Sequence, residues 1–572
     1  MMGAIRTAGR NSKASLALIA ALVIGCQKPA PSGEVSAPPP ARPSWFRDVT
    51  DEVGLHFVHD AGPTGDYFMP QIVGSGAALF DFDGDGRLDL YLLQNGGPNG
   101  APNQLFHQMP DGRFEDVSKG SGLDVRGYSM GVAIGDVNND GRPDVLLTQY
   151  GGVKLFLNNG DGTFTDATKE AGLDSLHWGT SACFFDYDRD GWLDLVVVNY
   201  VSYDPDRPCG TPRFLRDYCS PMQFAGTVTN LYHNRGGGGP VRFDDVTVSS
   251  GLDFVPGPGL GVFCADFDGD GWPDIFVAND AQPNRLWINQ KNGTFKEEAV
   301  RRGLAYNGTG RAQAGMGVAG GDLKGDGLLD LFVTHLTDET NTLWMQGPAG
   351  QFRDRTAASG LAETAERGTG FGTVFGDFDQ DGALDLAVVN GRVYSALESA
   401  NPALGPFWGR YAERNRLWAG KGGGRFEDVS AANGAFCATP AVSRGLACGD
   451  VDGDGALDLL VTTVAGPARL YRNVAPHRGH WLLVRAVDPA LRRDAYGAEV
   501  TVESGGRRQR RWLNPCSGYL CSNDPRAHFG LGQAERVDAL EVRWPDGSRE
   551  RFPGRAADQV VVLRKGDGQT LP

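Results

Sequence analysis

A short acidic turn recurs seven times along the chain and governs what it can fold into. The turns begin at Asp81, Asp136, Asp186, Asp266, Asp322, Asp377 and Asp450, and the first reads DFDGDGRLD. Carboxylates at positions 1, 3 and 5 with Gly at 6 match the start of an EF-hand loop, which also needs a bidentate Glu at position 12. Here position 12 is Leu92, Leu147, Val197, Val277, Val333, Val388 and Val461, each inside an apolar run. A buried strand is therefore expected after each turn, where an EF-hand would place a helix.

Three further segments keep step with the turns. Small or apolar residues precede each one, as in GVAIGD ending at Asp136. A third run follows, from NQLFH (103–107) to ARLYRN (468–473). A fourth has the form FxDVT and carries Phe46, Phe114, Phe164, Phe243, Phe295, Phe352 and Phe426. Four short strands per unit, at a spacing of about 50 residues, is the pattern of propeller blades. The first FxDVT segment precedes the first turn and none follows ARLYRN. The N-terminal segment is thus expected to complete the last blade, which removes two exposed sheet edges. The predicted fold is all-β: a seven-bladed β-propeller over residues 45–475, then a small β domain over residues 476–572.

The turns and their flanking strands resemble FG-GAP (VCBS-type) repeats, the blades of integrin α-subunit heads. HWLLVRAV (480–487), DAYGAEVTV (494–502), CSGYLCSNDPRAHFGLG (516–532) and VRWPDG (542–547) resemble the ASPIC/UnbV domain. The pairing points to the cartilage-acidic-protein-like family of secreted propellers, in a bacterial lipoprotein form. That resemblance implies an extracellular calcium-binding propeller, often adhesive or of unknown role; it does not establish catalysis.

Asp side chains at positions 1, 3, 5 and 9 of a tight turn converge on one point, and hard oxygen donors suit Ca²⁺. The expected donors are Asp81, Asp83, Asp85 and Asp89 in the first loop and Asp136, Asn138, Asp140 and Asp144 in the second. The third offers Asp186, Asp188, Asp190 and Asp194, the fourth Asp266, Asp268, Asp270 and Asp274. The sixth offers Asp377, Asp379, Asp381 and Asp385, the seventh Asp450, Asp452, Asp454 and Asp458. In the fifth, Lys324 replaces the position-3 carboxylate and its ammonium is expected to stand in for the ion. About six structural Ca²⁺ ions follow from this reading.

Each turn joins first and second strands, so all seven are expected on one face of the disc. The second strands run to the other face and end in Gln94, Gln149, Asn199, Asn279, His335, Asn390 and Thr463. His177 and Trp178 belong to the same end. Two insertions, 200–224 and 392–408, are expected to crown this face and bring Tyr200, Tyr203, Arg213, Tyr218, Tyr394, Trp408 and Tyr411. Gln94, Gln149, His177, Trp178, Asn199, Asn279, His335 and Asn390 are the candidate ligand-binding set. The competing reading is that these amides cap strand ends.

The formal net charge of −16 argues against nucleic acid as a partner. Arg6, Arg10 and Lys13 precede a short uncharged run ending at Cys26, as in a lipoprotein signal: residues 1–25 are a signal peptide and 26–44 a Pro-rich tether on lipidated Cys26. This places the protein at the cell envelope, on the outer membrane or cell surface, touching membrane through its anchor alone. Cys209 and Cys219 are expected to pair; Cys516–Cys521 and Cys437–Cys448 are further candidate pairs. The basic run GGRRQRRW (505–512) reads as a solvated strand face, or as a contact for anionic glycan or lipid. The expected function is binding or adhesion to an extracellular protein or glycan. The alternative is a carbohydrate-active lyase or hydrolase using the face opposite the loops, although no paired acid/base motif is present.

Overall fold

The computed structural model describes residues 43–210, 216–362, 367–476 and 478–571. The signal peptide, Cys26, the tether up to residue 42 and Arg213 lie outside the described residues.

In each repeat the apolar run after the turn folds back on the small-residue run before it. The first sheet comprises Ala77–Phe80, Asp89–Leu92, Gln104–Gln108 and Phe114–Asp116, paired antiparallel in chain order. Seven such sheets form among the described residues. Their first strands touch in a cycle: Ala77–Phe80, Ser129–Gly135, Gly179–Phe185, Gly259–Ala265, Val318–Gly321, Gly370–Gly376, Ser443–Gly449, then Ala77–Phe80 again. The cycle is a β-propeller with first strands innermost, and the sheets are numbered here as blades 1 to 7. Phe46–Asp48 completes blade 7 by pairing with Arg469–Asn473, Phe46 opposite Asn473. Apolar side chains fill the space between adjacent sheets, as where Phe80, Leu105, Ile134 and Phe156 meet between blades 1 and 2. Full burial of each such side chain stabilises by about 1.5–3 kcal/mol.

A second set of contacts is polar and repeats with the blades. At the end of each third strand except that of blade 6, a side-chain amide donates to the loop carbonyl of the preceding blade. Gln108, Asn158, Asn234, Asn289, Gln346 and Asn473 reach Val451, Phe82, Val137, Tyr187, Phe267 and Phe378, over 2.6 to 2.9 Å. Blade 6 has Gly420 there, and the amide of Gly424 instead donates to Leu323 O at 3.2 Å.

The C-terminal domain folds into two sheets. One is built on His480–Asp488, flanked by Arg493–Asp494 and Ala527–Gly532 and paired in parallel with Gln559–Arg564. The other runs Arg507–Trp512, Glu499–Ser504, Arg536–Arg543, Arg549–Ala556, Gln569–Leu571. Val500, Phe529, Leu540 and Trp544 lie in their shared core. The domain rests on the loop face of the propeller. Arg493 donates to Asn139 and to Gly191 O, Arg510 to Gly327 O and Arg507 to Asp381 O. Arg543 pairs with Asp266 at 2.9 Å, and His528 Nε2 lies 2.9 Å from Gly455 O. The basic run is thus in part a contact between domains, through Arg507 and Arg510, while Arg507 and Arg508 also stay exposed as on a solvated strand face. Its carboxylate partners are Glu499, 3.0 Å from Arg510, and Glu541, 3.4 Å from Arg508, both within the C-terminal domain.

Residues 514–524 leave this domain as a tongue that enters the propeller axis. Gly518 exchanges hydrogen bonds with Val318, at 2.9 and 2.7 Å, and Ser522 N donates to Ala77 O at 3.0 Å. Val132 N donates to Leu520 O at 3.2 Å, so the tongue bonds to blades 1, 2 and 5 at once. The inner strands admit it because their small residues leave room. A Cβ added at Gly76 would fall 1.8 Å from Leu520 O. Cys516 and Cys521 are unpaired thiols, correcting their expected bond. Cys516 packs with Cys183 and Cys264, whereas Cys521 packs with Ala77 and Leu79 in another core. Cys437 and Cys448 are also unpaired.

Candidate metal centres

The position-9 Asp of every loop opens a second strand and is buried: Asp89, Asp144, Asp194, Asp274, Asp330, Asp385 and Asp458. One carboxylate oxygen accepts from the amide of loop position 2, at 2.8 to 3.3 Å. The other accepts from a third-strand amide, at 2.7 to 2.9 Å. These Asp residues therefore fasten each loop to its own sheet. Sequence reasoning assigned all of them but Asp330 to metal alone.

The position-1 Asp shapes the turn. Asp81 Oδ1 accepts from the amides of Gly84 and Asp85, and Oδ2 accepts from Gly86. Gly84 and Gly86 take φ of 79° and 91°, a left-handed backbone that favours glycine. This winding aims the carboxylates inward. Ligand atoms of Asp81, Asp83 and Asp89 lie within 4.8 Å of one another, as do those of Asp186, Asp188 and Asp190 and of Asp266, Asp268 and Asp274. Such acidic clusters can hold a metal ion.

Crowding leaves its mark on the acids. Burial, reinforced by Asp379 and Asp377, holds Asp385 well above the usual carboxylate range. Burial pushes Asp377 up to about 8 and Asp450 up to about 7. In these two loops the fit to a cation is direct: Asp377 Oδ1, Asp379 Oδ1 and Asp450 Oδ1 are buried without a hydrogen-bond partner. Buried acceptors of this kind call for a positive ligand. The fifth loop does not fit. Lys324 Nζ sits 2.7 Å from Asp326 and 3.9 Å from Asp330, and donates to Gln346 O.

In blades 1 and 3 an imidazole joins the acids. His107 Nδ1 is 3.1 Å from Asp89 and 3.6 Å from Asp83. His233 Nδ1 is 3.1 Å from Asp194 and 3.4 Å from Asp188. The Asp194 bond raises His233 to about 9. Neither histidine stood out in the sequence, where each is one residue of a strand.

The opposite face divides the expected ligand set. Gln94, Asn199, Asn279, His335 and Asn390 are buried. Their amides serve local backbone: Asn199 donates to Val228 O, Asn279 to Pro283 O, Asn390 to Arg414 O and Gln94 to Val58 O. His335 is sealed beside Trp344, and burial lowers it to about 4. These five do not form an open ring. The two insertions do cover this face, bound by Asp217, which accepts from Ser395 and from Tyr411 OH at 2.8 Å. Cys209 and Cys219 are disulfide-bonded within the first insertion. Arg444 is buried beneath, donating to Ile72, Gly391, Ser443 and Arg392 carbonyls.

Gln149, His177 and Trp178 lie elsewhere on this face, beside an aromatic cluster. Phe68 touches Tyr128, Tyr150 and Tyr203, with ring centroids 4.9, 5.2 and 5.8 Å away. Trp178 packs on Tyr150 and Tyr203. Tyr128, Tyr150 and Tyr203 are half-buried, His177 is exposed, and Leu176 is 83% exposed.

The FG-GAP-like repeat family matches residues 81–147, 136–197, 266–333, 322–388 and 407–461, and the ASPIC and UnbV family matches 488–570. Cartilage acidic protein 1 of Xenopus tropicalis is 27% identical over 523 residues, covering 88% of this chain and 74% of that one. Its human counterpart is 29% identical over 341 residues, covering 58% of this chain and 48% of that one. The chain thus spans about half the length of the human relative. Among solved structures, an Agrocybe aegerita lectin described as recognising non-reducing terminal N-acetylglucosamine aligns with TM-score 0.39 and 15% identity, over 71% of this chain and 92% of that one. The Bacillus licheniformis rhamnogalacturonan lyase PL11 aligns with TM-score 0.37 and 12% identity, over 76% of each chain. With repeats matched across most of its blades and the matching C-terminal domain in place, the chain belongs to the FG-GAP-like repeat family, in its form ending in an ASPIC and UnbV domain.

Proposed function

We propose that this chain is a calcium-stabilised extracellular propeller that binds a protein or glycan and works as an adhesion module, anchored at the cell envelope through lipidated Cys26. Calcium suits the all-oxygen loops, whose buried, unpartnered carboxylate oxygens belong to Asp377, Asp379 and Asp450. The observation that carries the binding role is the aromatic cluster of Phe68, Tyr128, Tyr150, Trp178 and Tyr203. Phe68, Tyr128, Tyr150 and Tyr203 are half-buried over the buried Trp178, and half-buried aromatic rings are the residues that protein and glycan contacts favour. The surrounding frame is rigid, with a disulfide and the Asp217 bonds holding the crown beside it.

The test is a glycan array and an envelope-protein screen with the mature chain, followed by Tyr128→Ala and Tyr150→Ala. Both variants are expected to keep their melting temperature and calcium content while binding of any hit weakens at least tenfold. Undiminished binding by the double variant would overturn the assignment of the site.

A further inference from the structure

The seven blades provide an internal comparison at one position: the residue just before the third-strand amide that bonds the position-9 Asp. In chain order it is His107, Leu157, His233, Ile288, Met345, Ala419 and Arg472. This side chain stands over the loop of its own blade. Arg472 shows this by pairing with Asp452 at 2.7 Å. Where the residue is apolar, this position adds no ligand atom to the loop. In blades 1 and 3 a nitrogen donor has been added to an otherwise ordinary acidic set.

The added nitrogen changes which ion fits. Calcium takes oxygen ligands, whereas imidazole combined with carboxylate suits zinc and neighbouring d-block ions. Zinc bonds to nitrogen and carboxylate oxygen are about 2.0–2.2 Å, so ligands of a tetrahedral site stand about 3.4 Å apart. The separations from His107 Nδ1 to Asp89 and Asp83 are 3.1 and 3.6 Å. From His233 Nδ1 to Asp194 and Asp188 they are 3.1 and 3.4 Å. The first set brackets the tetrahedral edge, and the second reaches it from below. In blade 1, ligand atoms of Asp83, Asp85 and His107 also fall within 4.8 Å of one another, and in blade 3 those of Asp188, Asp194 and His233 do the same.

We propose that the loops of blades 1 and 3 are mixed nitrogen–oxygen sites for a zinc-class divalent cation, held by His107 with Asp83 and Asp89 and by His233 with Asp188 and Asp194. The inference rests on the reading that these loops hold cations, and it departs from that reading on which ion two of them select. The loops of one propeller then fall into four kinds: loops with no added nitrogen at this position, the two imidazole loops, the fifth loop, closed by Lys324, and the seventh, where Arg472 pairs with Asp452.

The experiment uses the full mature chain, stripped with chelator and titrated separately with Zn²⁺, Co²⁺ and Ca²⁺, with ions counted by native mass spectrometry. Wild type is expected to take two Co²⁺ ions with the visible absorption of a nitrogen-containing site, and two Zn²⁺ ions. His107→Leu and His233→Leu should each lose one of these ions, and the double variant both, while Ca²⁺ uptake by the remaining loops is unchanged. Leu is a residue this fold already accepts there, as Leu157 in blade 2. X-ray absorption at the zinc edge of wild-type protein gives a second readout that needs no variant, and should show imidazole scattering. Ca²⁺ uptake with Zn²⁺ and Co²⁺ binding indifferent to both histidines, or an oxygen-only zinc shell, overturns this inference and leaves the calcium reading standing. No uptake of any divalent ion overturns both.

Discussion

The hydroxyl of Tyr519 donates to the carbonyl oxygen of Val73 at 3.2 Å, joining the C-terminal domain to the far side of the propeller. The tongue that carries Tyr519 therefore runs the depth of the axis. Phe371 packs against its ring with centroids 4.9 Å apart, and Tyr519 and Leu520 share a core with Met69, Trp178 and Cys209. The disc is filled by its own chain, and its C-terminal domain is a structural part of the propeller.

Shortening the tongue should accordingly destabilise the whole ring. Leu520→Ala is expected to cost about 2–5 kcal/mol, the range for large-to-small changes at buried sites. Tyr519→Phe removes only the hydrogen bond to Val73 and should cost about 1 kcal/mol. Urea unfolding checks both, and the order of the two effects is the decisive feature. Ending the chain after the propeller should expose the apolar axis and give a protein that binds a hydrophobic dye or aggregates.

Gly76→Ala tests the close approach from the other side. Its Cβ would fall 1.8 Å from Leu520 O, a backbone atom without a free torsion to move it away. A loss of about 1–3 kcal/mol or more is expected. Gly239→Ala, with nothing within 4 Å of its Cβ, is the neutral control. Equal melting temperatures for the two variants would contradict the packed axis.

Acid should loosen the fold through three buried histidines. Burial lowers His59, His335 and His528 to about 4 each. His59 is neutral by its contacts: Nδ1 accepts from Ala465 N and Nε2 faces Ser75 Oγ at 3.0 Å. An unfolded chain binds protons at these rings below about 6.5. The folded chain does so only near the depressed values. The stability they contribute is full above 6.5 and falls as pH drops toward 4, by about 1.4 kcal/mol per unit per ring. Denaturation midpoints at stepped pH check the slope, and His528→Asn should reduce it by about one proton's share.

Removing metal should lower the melting temperature, because an ion bound only by the folded state stabilises it by mass action. Asp377→Asn should diminish the chelator effect most clearly. Its Oδ1 is buried and unpartnered, so Asn there removes one carboxylate donor from the loop. Differential scanning fluorimetry with and without chelator reads the change; an identical shift in variant and wild type would contradict a cation in that loop.

The blades were legible because their signals are local and repeated. A turn, an apolar run and an FxDVT segment each lie within a few residues, and the position of Phe46 before the first turn pointed to the strand that closes blade 7. The tongue was not legible. CSGYLCSND has no period, and its partners, among them Ala77, Val132, Val318 and Phe371, lie on inner strands of different blades that no local pattern names. The polar strand ends at Asn199, Asn279 and Asn390 were placed on the correct face, but a side-chain type does not reveal whether its amide meets ligand or backbone. Arg510 read as solvent-facing for the same reason: the Gly327 carbonyl it meets belongs to the propeller, far away in sequence.

The two closures of the propeller also set an order for its synthesis. Phe46–Asp48 waits for Arg469–Asn473, and the axis waits for the tongue that follows still later in the chain. A ribosome working at about 5–20 residues per second releases every blade before either event is possible. Pairings this distant in sequence are slow to form. The nascent ring thus stays incomplete until residues 514–524 have been made, so it keeps open edges and an unfilled axis for most of the synthesis.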